Sequence, residues 1–238
     1  MKHMIHLLFG CLALFAVSSF AQEVTLHGVP LLFSLGLQGG ASQSNIAADG
    51  LLASYFAPTP NIERIIGPAL GLEYEIRISR FAAVSIGTRY QERGENTKKT
   101  AIVFDDDIFP HDLSTTADLQ YLTFPLFVKG GFSGSVGWIF LKAGISVSML
   151  LGDKLSWVID DRAATPGSVH MPLVGVHGND AGVLGGCEAG VSLGRHAFFV
   201  SGEYQYGLNS ISSDLSGHAY NRATEVTVGY RYFFTSKR

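Results

Sequence analysis

Three groups of residues could do chemistry in this chain. The first is Asp105-Asp106-Asp107 with His111 and Asp112. Carboxylate oxygens at that density suit a hard cation such as calcium. The segment lacks the central Gly of a calcium loop, so it reads as a solvated acidic loop, and no metal is assigned to it. The second group is Ser168, His170, His177 and Asp180, all read as belonging to one connection. A Ser–His pair needs hydrogen-bond reach and a third, orienting group. Proximity in a Gly- and Pro-containing loop does not supply these, so no catalytic residue is assigned. The third group is scattered: Glu73, Glu75, Arg77, Arg89, Lys129, Lys142, Glu188, Glu203, Glu225 and Arg231. These are single charges set among small and apolar neighbours. The Gly-rich stretch 182–194 is no phosphate loop, because it lacks the Lys-Ser or Lys-Thr ending and does not open a helix. No cofactor is implied.

The elements that must carry the scattered charges alternate in polarity with period two, the mark of strands with two unlike faces. Eight such segments are read at 29–39, 68–79, 82–92, 120–132, 136–151, 182–194, 197–208 and 223–234. The connections 40–67, 93–119, 152–181 and 209–222 are long, whereas Arg80-Phe81, Ser133-Gly134-Ser135 and Arg195-His196 are short. Strict alternation of long and short connections is the pattern of an up-and-down barrel in an outer membrane, with long loops outside and tight turns in the periplasm. The expected fold is therefore all-β: an eight-stranded antiparallel transmembrane β-barrel.

The two faces decide which side meets lipid. One carries Leu35, Leu37, Leu70, Leu72, Val84, Ile86, Leu122, Leu126, Val128, Ile139, Leu141, Ile145, Val147, Phe198, Val200, Val226 and Val228, with Tyr residues toward the strand ends and no charge. The other mixes Gly36, Gly71, Gly87, Gly144, Gly186, Gly190, Gly207 and Gly229 with Ser34, Ser85, Ser146, Ser148 and Ser201, and holds the ten charges. A solvated face would use long polar side chains. Small residues suit a cramped interior, and an eight-stranded barrel is only just wide enough for side chains to fill. The apolar face is thus expected outward and the charges inward. Leu32, Phe127, Leu184 and Phe233 break the pattern and are expected to pack at the barrel rims.

Composition agrees with export to a membrane. Mean hydropathy is +0.23 with 16% charged residues, which is apolar for a soluble domain, and a net charge of -3 offers no basic face for nucleic acid. Met1-Lys2-His3, the apolar run Leu7–Val17 and the small residues Ser19 and Ala21 read as a signal peptide over 1–21, leaving 22–238 as the barrel domain. Leu8-Phe9-Gly10-Cys11 offers a rival lipoprotein reading, with bulky Phe9 against it. If Cys11 leaves with the signal, Cys187 has no partner for an intramolecular disulfide.

Four motifs make a resemblance specific. They are Tyr121-Leu122-Thr123-Phe124-Pro125-Leu126-Phe127-Val128-Lys129, Tyr90-Gln91-Glu92-Arg93-Gly94, Glu203-Tyr204-Gln205-Tyr206-Gly207-Leu208 and Val228-Gly229-Tyr230-Arg231-Tyr232-Phe233. In order and spacing the chain resembles the PorT-like outer-membrane β-barrel family of Bacteroidetes and their relatives. The resemblance implies an outer-membrane barrel and no particular activity. The tail Thr235-Ser236-Lys237-Arg238 departs from an aromatic final residue.

Five acids and five bases inside a narrow barrel point to an ion-paired, occluded lumen, since unpaired charges there would be costly. The functional expectation is a non-enzymatic barrel in the lipid bilayer of the outer membrane. It would act as envelope scaffold or accessory, with an envelope protein partner held through long loops containing Leu51, Tyr55, Phe56, Phe104, Phe109 and Trp157. The alternatives are a narrow transport channel, a membrane-embedded hydrolase built on the loop His residues, and a soluble periplasmic barrel for an apolar ligand.

Overall fold

A computed structural model describes residues 25–26, 29–50, 61–104, 107–160, 167–171, 178–210 and 217–234. Two short strands, β1 (Thr25–Leu26) and β2 (Val29–Pro30), pair only with each other. The long strands follow: β3 (Leu32–Gly50), β4 (Asn61–Arg77), β5 (Ala82–Phe104), β6 (Asp107–Ser133) and β7 (Gly137–Asp160). After the short β8 (Gly167–Met171) come β9 (Asn179–Leu193), β10 (His196–Gly207) and β11 (Gly217–Phe233). The order β6-β5-β4-β3-β11-β10-β9-β7 closes on itself through β6–β7 pairing, so eight antiparallel strands form a complete barrel. No described helix is long and apolar enough to cross a membrane.

Most strands are longer than the sequence pattern indicates, chiefly at the end away from the tight turns, whereas β10 keeps its expected twelve residues. β6 has 27 residues, roughly 90 Å along the strand, whereas a membrane crossing needs about ten. The connection read as 93–119 is almost all strand, with Phe104 facing Asp107 across the top of the hairpin. Period-two alternation fades there because a strand that has left the bilayer needs no apolar outer face. β7 outgrows its partner β9, and its far end pairs with β8 instead. At the other end, residues 29–31 lie outside the barrel wall, which begins at Leu32.

The tight turns have local causes. Ser79 Oγ accepts hydrogen bonds from the Phe81 and Ala82 amides, both at 3.1 Å. Gly194 takes a φ of 66°, a left-handed backbone that glycine adopts without a Cβ clash. Pro125 sits mid-strand and has no amide hydrogen. The β5–β6 ladder skips from Ile86–Leu126 to Arg89–Thr123 around it. Gly87 on the facing strand lets the backbones approach closely, since a Cβ there would lie 2.7 Å from the Leu72 carbonyl oxygen.

The alternation resolves into two surfaces. Outward, Leu141, Val228 and Val128 are 71%, 65% and 64% exposed, and Leu37, Leu70, Ile86, Ile139, Ile145, Phe198 and Val200 continue the apolar belt. Free Cys187 also faces out. Toward the tight turns, Phe33 stacks with Tyr74, Phe81 meets Phe132, and Tyr232 meets Phe234 edge-on. Toward the far end, Tyr90, Tyr204 and Tyr206 form a second aromatic level. Two aromatic girdles flanking an apolar band are what a lipid bilayer requires of a barrel wall. Just above this band the outward charges Glu92, Asp118 and Lys154 begin.

Candidate functional site

The only dense cluster of ionisable side chains described lies inside the barrel, in layers stacked along its axis. The lowest layer, by the tight turns, is apolar. Trp138, Phe140, Ala197, Phe199 and Phe233 pack together with Leu32 against them. The Arg77 guanidinium caps this plug, 4.4 Å from the Trp138 ring centre and 4.8 Å from that of Phe233. The plug fits because Gly190 and Gly229 lie beside it. A Cβ at Gly190 would run into the Trp138 ring, and one at Gly229 into the Phe199 ring.

The next layer joins Glu73, Glu75 and Glu188 to Lys129, Arg231 and Arg77. Lys129 Nζ donates to all three carboxylates, at 2.7, 2.7 and 2.9 Å. Arg231 donates to Glu188 at 2.8 Å and to Glu73 at 2.6 Å. Arg77 Nε donates to Glu75 at 2.7 Å. Trp138 Nε1 donates to Glu188 at 2.8 Å, tying this layer to the plug. Oxygens of the three glutamates lie within 4.8 Å of one another, close enough to ligate a metal ion. The Lys129 ammonium already fills that position, so the geometry is that of an internal cation rather than of a metal centre.

Above this, Arg89 grips Glu203 through both terminal nitrogens, at 2.8 and 3.1 Å. Arg89 Nη1 also lies 2.9 Å from Glu225 Oε1, an ion pair by distance whose angle is too poor for a hydrogen bond. Lys142 pairs with Glu203 and donates to Ser201 at 2.5 Å. Gln91 donates to Glu225 and links this layer to the highest one. There Arg93 meets Asp180 at 3.4 Å and donates to Gln205 and Thr123 at 2.6 and 3.0 Å, while Asn221 donates to Asp180 at 3.0 Å and to the Tyr121 hydroxyl at 3.2 Å.

All ten charged residues singled out in the sequence lie in the first two charged layers. None exceeds 5% exposure. Reading 82–92 as the full strand missed Arg93, and placing Asp180 in a loop missed its partner. Asp180 belongs to β9 and points into the barrel. Continuing the odd-numbered alternation one step beyond Gln91 would have found Arg93. Phe127 and Leu184 are not at the rims. They flank Gly144 from either side in mid-barrel, with Lys142 Nζ 4.8 Å from the Phe127 ring. Leu32 and Phe233 do sit at the tight-turn rim.

Asp105, Asp106 and His177 fall outside the described residues, as do Leu51, Tyr55 and Phe56. Asp107, His111, Asp112 and Phe109 lie on β6, Phe104 on β5, Trp157 on β7, and Ser168 and His170 on β8.

A closed barrel with an apolar belt outside and paired charges inside defines a transmembrane β-barrel. Residues 20–213 match the outer membrane protein beta-barrel domain family. The chain belongs to that family and to the bacterial outer membrane. The family match ends before β11, the strand that completes the ring between β3 and β10. No curated protein sequence matches the chain. Among solved structures, the chain is similar to the outer membrane protein OprG of Pseudomonas aeruginosa, with 12% identity, 84% of this chain and 95% of that one covered, and a TM-score of 0.46. It is also similar to Ail, the attachment invasion locus protein of Yersinia pestis, with 11% identity, 84% and 98% covered, and a TM-score of 0.37. The outer membrane protease OmpT of Escherichia coli matches at 9% identity, 85% and 96% covered, and a TM-score of 0.37.

Proposed function

We propose that this protein is a non-conducting, non-enzymatic barrel that anchors long hairpins outside the outer membrane, where they engage an envelope partner. The observation that carries this reading is the balance of the lumen. Glu73, Glu75 and Glu188 meet Arg77, Lys129 and Arg231; Glu203 and Glu225 meet Arg89 and Lys142; Asp180 meets Arg93. Each layer is neutral by itself, and six acids offset six bases. Charges paired in this way leave no net charge in the lumen to draw in a solute, and the aromatic plug closes the tight-turn end. The role of the ten sequence-identified charges is then structural. β5, β6 and β7 project the hairpins away from the bilayer, and β8 widens that projection.

The orientation follows from outer-membrane usage, with tight turns in the periplasm and hairpins outside. Residues 1–21 are read as a signal removed during export, and the motif at 121–129 supports a PorT-like subgroup within the family. Conductance of the purified protein in planar bilayers tests the main claim. A flat baseline is expected; steady openings of porin size would refute it. Crosslinking on intact cells followed by co-purification should recover an envelope protein, and a consistently partnerless monomer would refute the accessory role.

A further inference from the structure

The outward wall changes character at one place. Across β4, β3, β11 and β10, the residues Arg64, Asn45, Arg222 and Tyr206 form one row, since Asn45 faces Arg222 and Arg222 faces Tyr206 in the register. The row below holds Gln43, Thr224 and Tyr204. Below that the wall is apolar, with Val226 and Val228 exposed on β11. The two polar rows enclose a cleft of about 120 Å³ lined by Arg64, Arg222, Gln43, Asn45, Tyr204 and Thr224. It therefore opens at the level where the hydrocarbon belt gives way to headgroups, at the hairpin end.

The chemistry of the cleft is one-sided. It has two guanidinium groups and four neutral hydrogen-bonding side chains, and no carboxylate lines it. Among the described side chains neither arginine pairs with an acid, and Glu95, which faces Arg64 in the register, belongs to β5 on the side of β4 away from the cleft. The Arg222 guanidinium lies 5.2 Å from the Tyr206 ring centre, which holds it flat against the wall. Its Nε is buried without a hydrogen-bond partner. A buried donor left unmatched is costly, and this one, unlike the unmatched Nε atoms of Arg93 and Arg231 inside the closed lumen, belongs to a side chain that lines an open cleft. The arrangement lacks one anion with several acceptor oxygens. Guanidinium groups match phosphate in shape and charge, and phosphate is the anion that bilayer headgroups carry at this depth.

We infer that this cleft holds the phosphate of an anionic membrane lipid, with the acyl chains lying down the belt over Val226 and Val228. Arg64 and Arg222 supply the charge, and Asn45, Gln43, Thr224 and Tyr204 supply neutral donors around it. The site belongs to the outer wall and makes no use of the lumen.

The test uses the protein purified in zwitterionic micelles doped with phosphatidylglycerol, with retained lipid counted by native mass spectrometry. Phosphatidylglycerol should be retained in preference to phosphatidylcholine. The double variant Arg64→Gln, Arg222→Gln should lose about tenfold in retention or more, while its heat-modifiable gel migration stays that of a folded barrel. Arg80→Gln, at the tight-turn end, should change nothing. Equal retention by the double variant would overturn the assignment. So would an equal loss in the Arg80 variant, which would mean diffuse attraction, or displacement of the lipid by inorganic phosphate alone, which would mean a site for a free anion.

Discussion

Replacing Lys129 by Met removes the cation that three glutamates share. The side chain is fully buried, and its Nζ lies 2.7, 2.7 and 2.9 Å from Glu73, Glu75 and Glu188. Methionine preserves the length of the stem and most of its packing, so the change is mainly electrostatic. The layer goes from three acids against three bases to three against two. Breaking a buried pair by deleting one partner typically costs about 3–5 kcal/mol, because the remaining charge is left in a poor solvent. Three carboxylates lose a donor here, so the upper end of that range is expected. Adding Glu73→Gln restores neutrality with nearly the same volume, and the double variant should recover at least about half of the loss. Urea unfolding in lipid vesicles measures both, with fluorescence of Trp138 in the adjacent plug as the probe and gel migration as a check on folding. A cost for Lys129→Met below about 1 kcal/mol, the range of exposed pairs, would show that the layer is hydrated rather than closed. A double variant no more stable than the single one would show that charge balance does not hold it together.

Four further outcomes follow from the same geometry. Gly190→Val pushes a side chain into the Trp138 ring and should cost about 1–3 kcal/mol by overpacking, read by the same urea titration; an unchanged midpoint would remove the plug as described. Trp138→Ala with Phe199→Ala opens the tight-turn end while leaving Arg89, Lys142 and Glu203 in place, so planar bilayers should still show no porin-sized current; a large conductance would mean that the plug alone closes the lumen. Leu141→Arg places a charge in the exposed apolar belt and should destabilise by about 2–4 kcal/mol in vesicles if that position lies near the bilayer midplane, with a much smaller effect in detergent. N-terminal sequencing of the protein recovered from outer membranes should begin at Gln22; a lipidated start at Cys11 would replace the signal-peptide reading.

How far the fold could be read depended on where water and lipid divide the barrel wall. Between Leu126 and Leu141 or Val200 and Val226, one face meets lipid and the other a narrow lumen, so residue type follows the pleat strictly and the faces were legible. Beyond Glu92 on β5, or beyond Leu151 on β7, the same strands continue into water. The outer face needs no apolar residues there, so strand was mistaken for loop although Arg93, Asp180 and Leu119 still face the lumen. Arg93 and Asp180 were lost to that boundary. The aromatic plug was hidden for another reason. Trp138, Phe140 and Phe199 are large residues on a face otherwise read as small, and what makes room for them is Gly190 and Gly229 on neighbouring strands. That complementarity exists only across the register, which short segments of sequence do not disclose. Leu151 adds a second obstacle, because the bulge opposite Gln120 and Tyr121 shifts the inward parity of β7.

The layered neutrality also bears on how the barrel can assemble. If all six acids and six bases had to find one another at once, any mispairing would leave a buried charge. Here each layer closes by itself, and each of the two lower layers includes bonds between the first strands and the last. Lys129 of β6 bridges Glu73 and Glu75 of β4 to Glu188 of β9, and Arg231 of β11 joins the same glutamates. Arg89 of β5 crosses to Glu203 of β10. None of these bonds lies between neighbouring strands of one hairpin; Lys129 can reach Glu73 and Glu75 once β4, β5 and β6 have formed one sheet, but the Arg231–Glu73 and Arg89–Glu203 bonds join the first strands to the last and form only as the ring closes. The lumen therefore contributes little to early hairpins and most to the finished barrel. Arg89→Met, which removes a bond that only the closed ring allows, should accordingly raise the unfolding rate far more than it lowers the folding rate. Stopped-dilution kinetics in vesicles separate the two limbs, and a loss confined to the folding limb would place the ion-paired layer in the transition state and refute late closure.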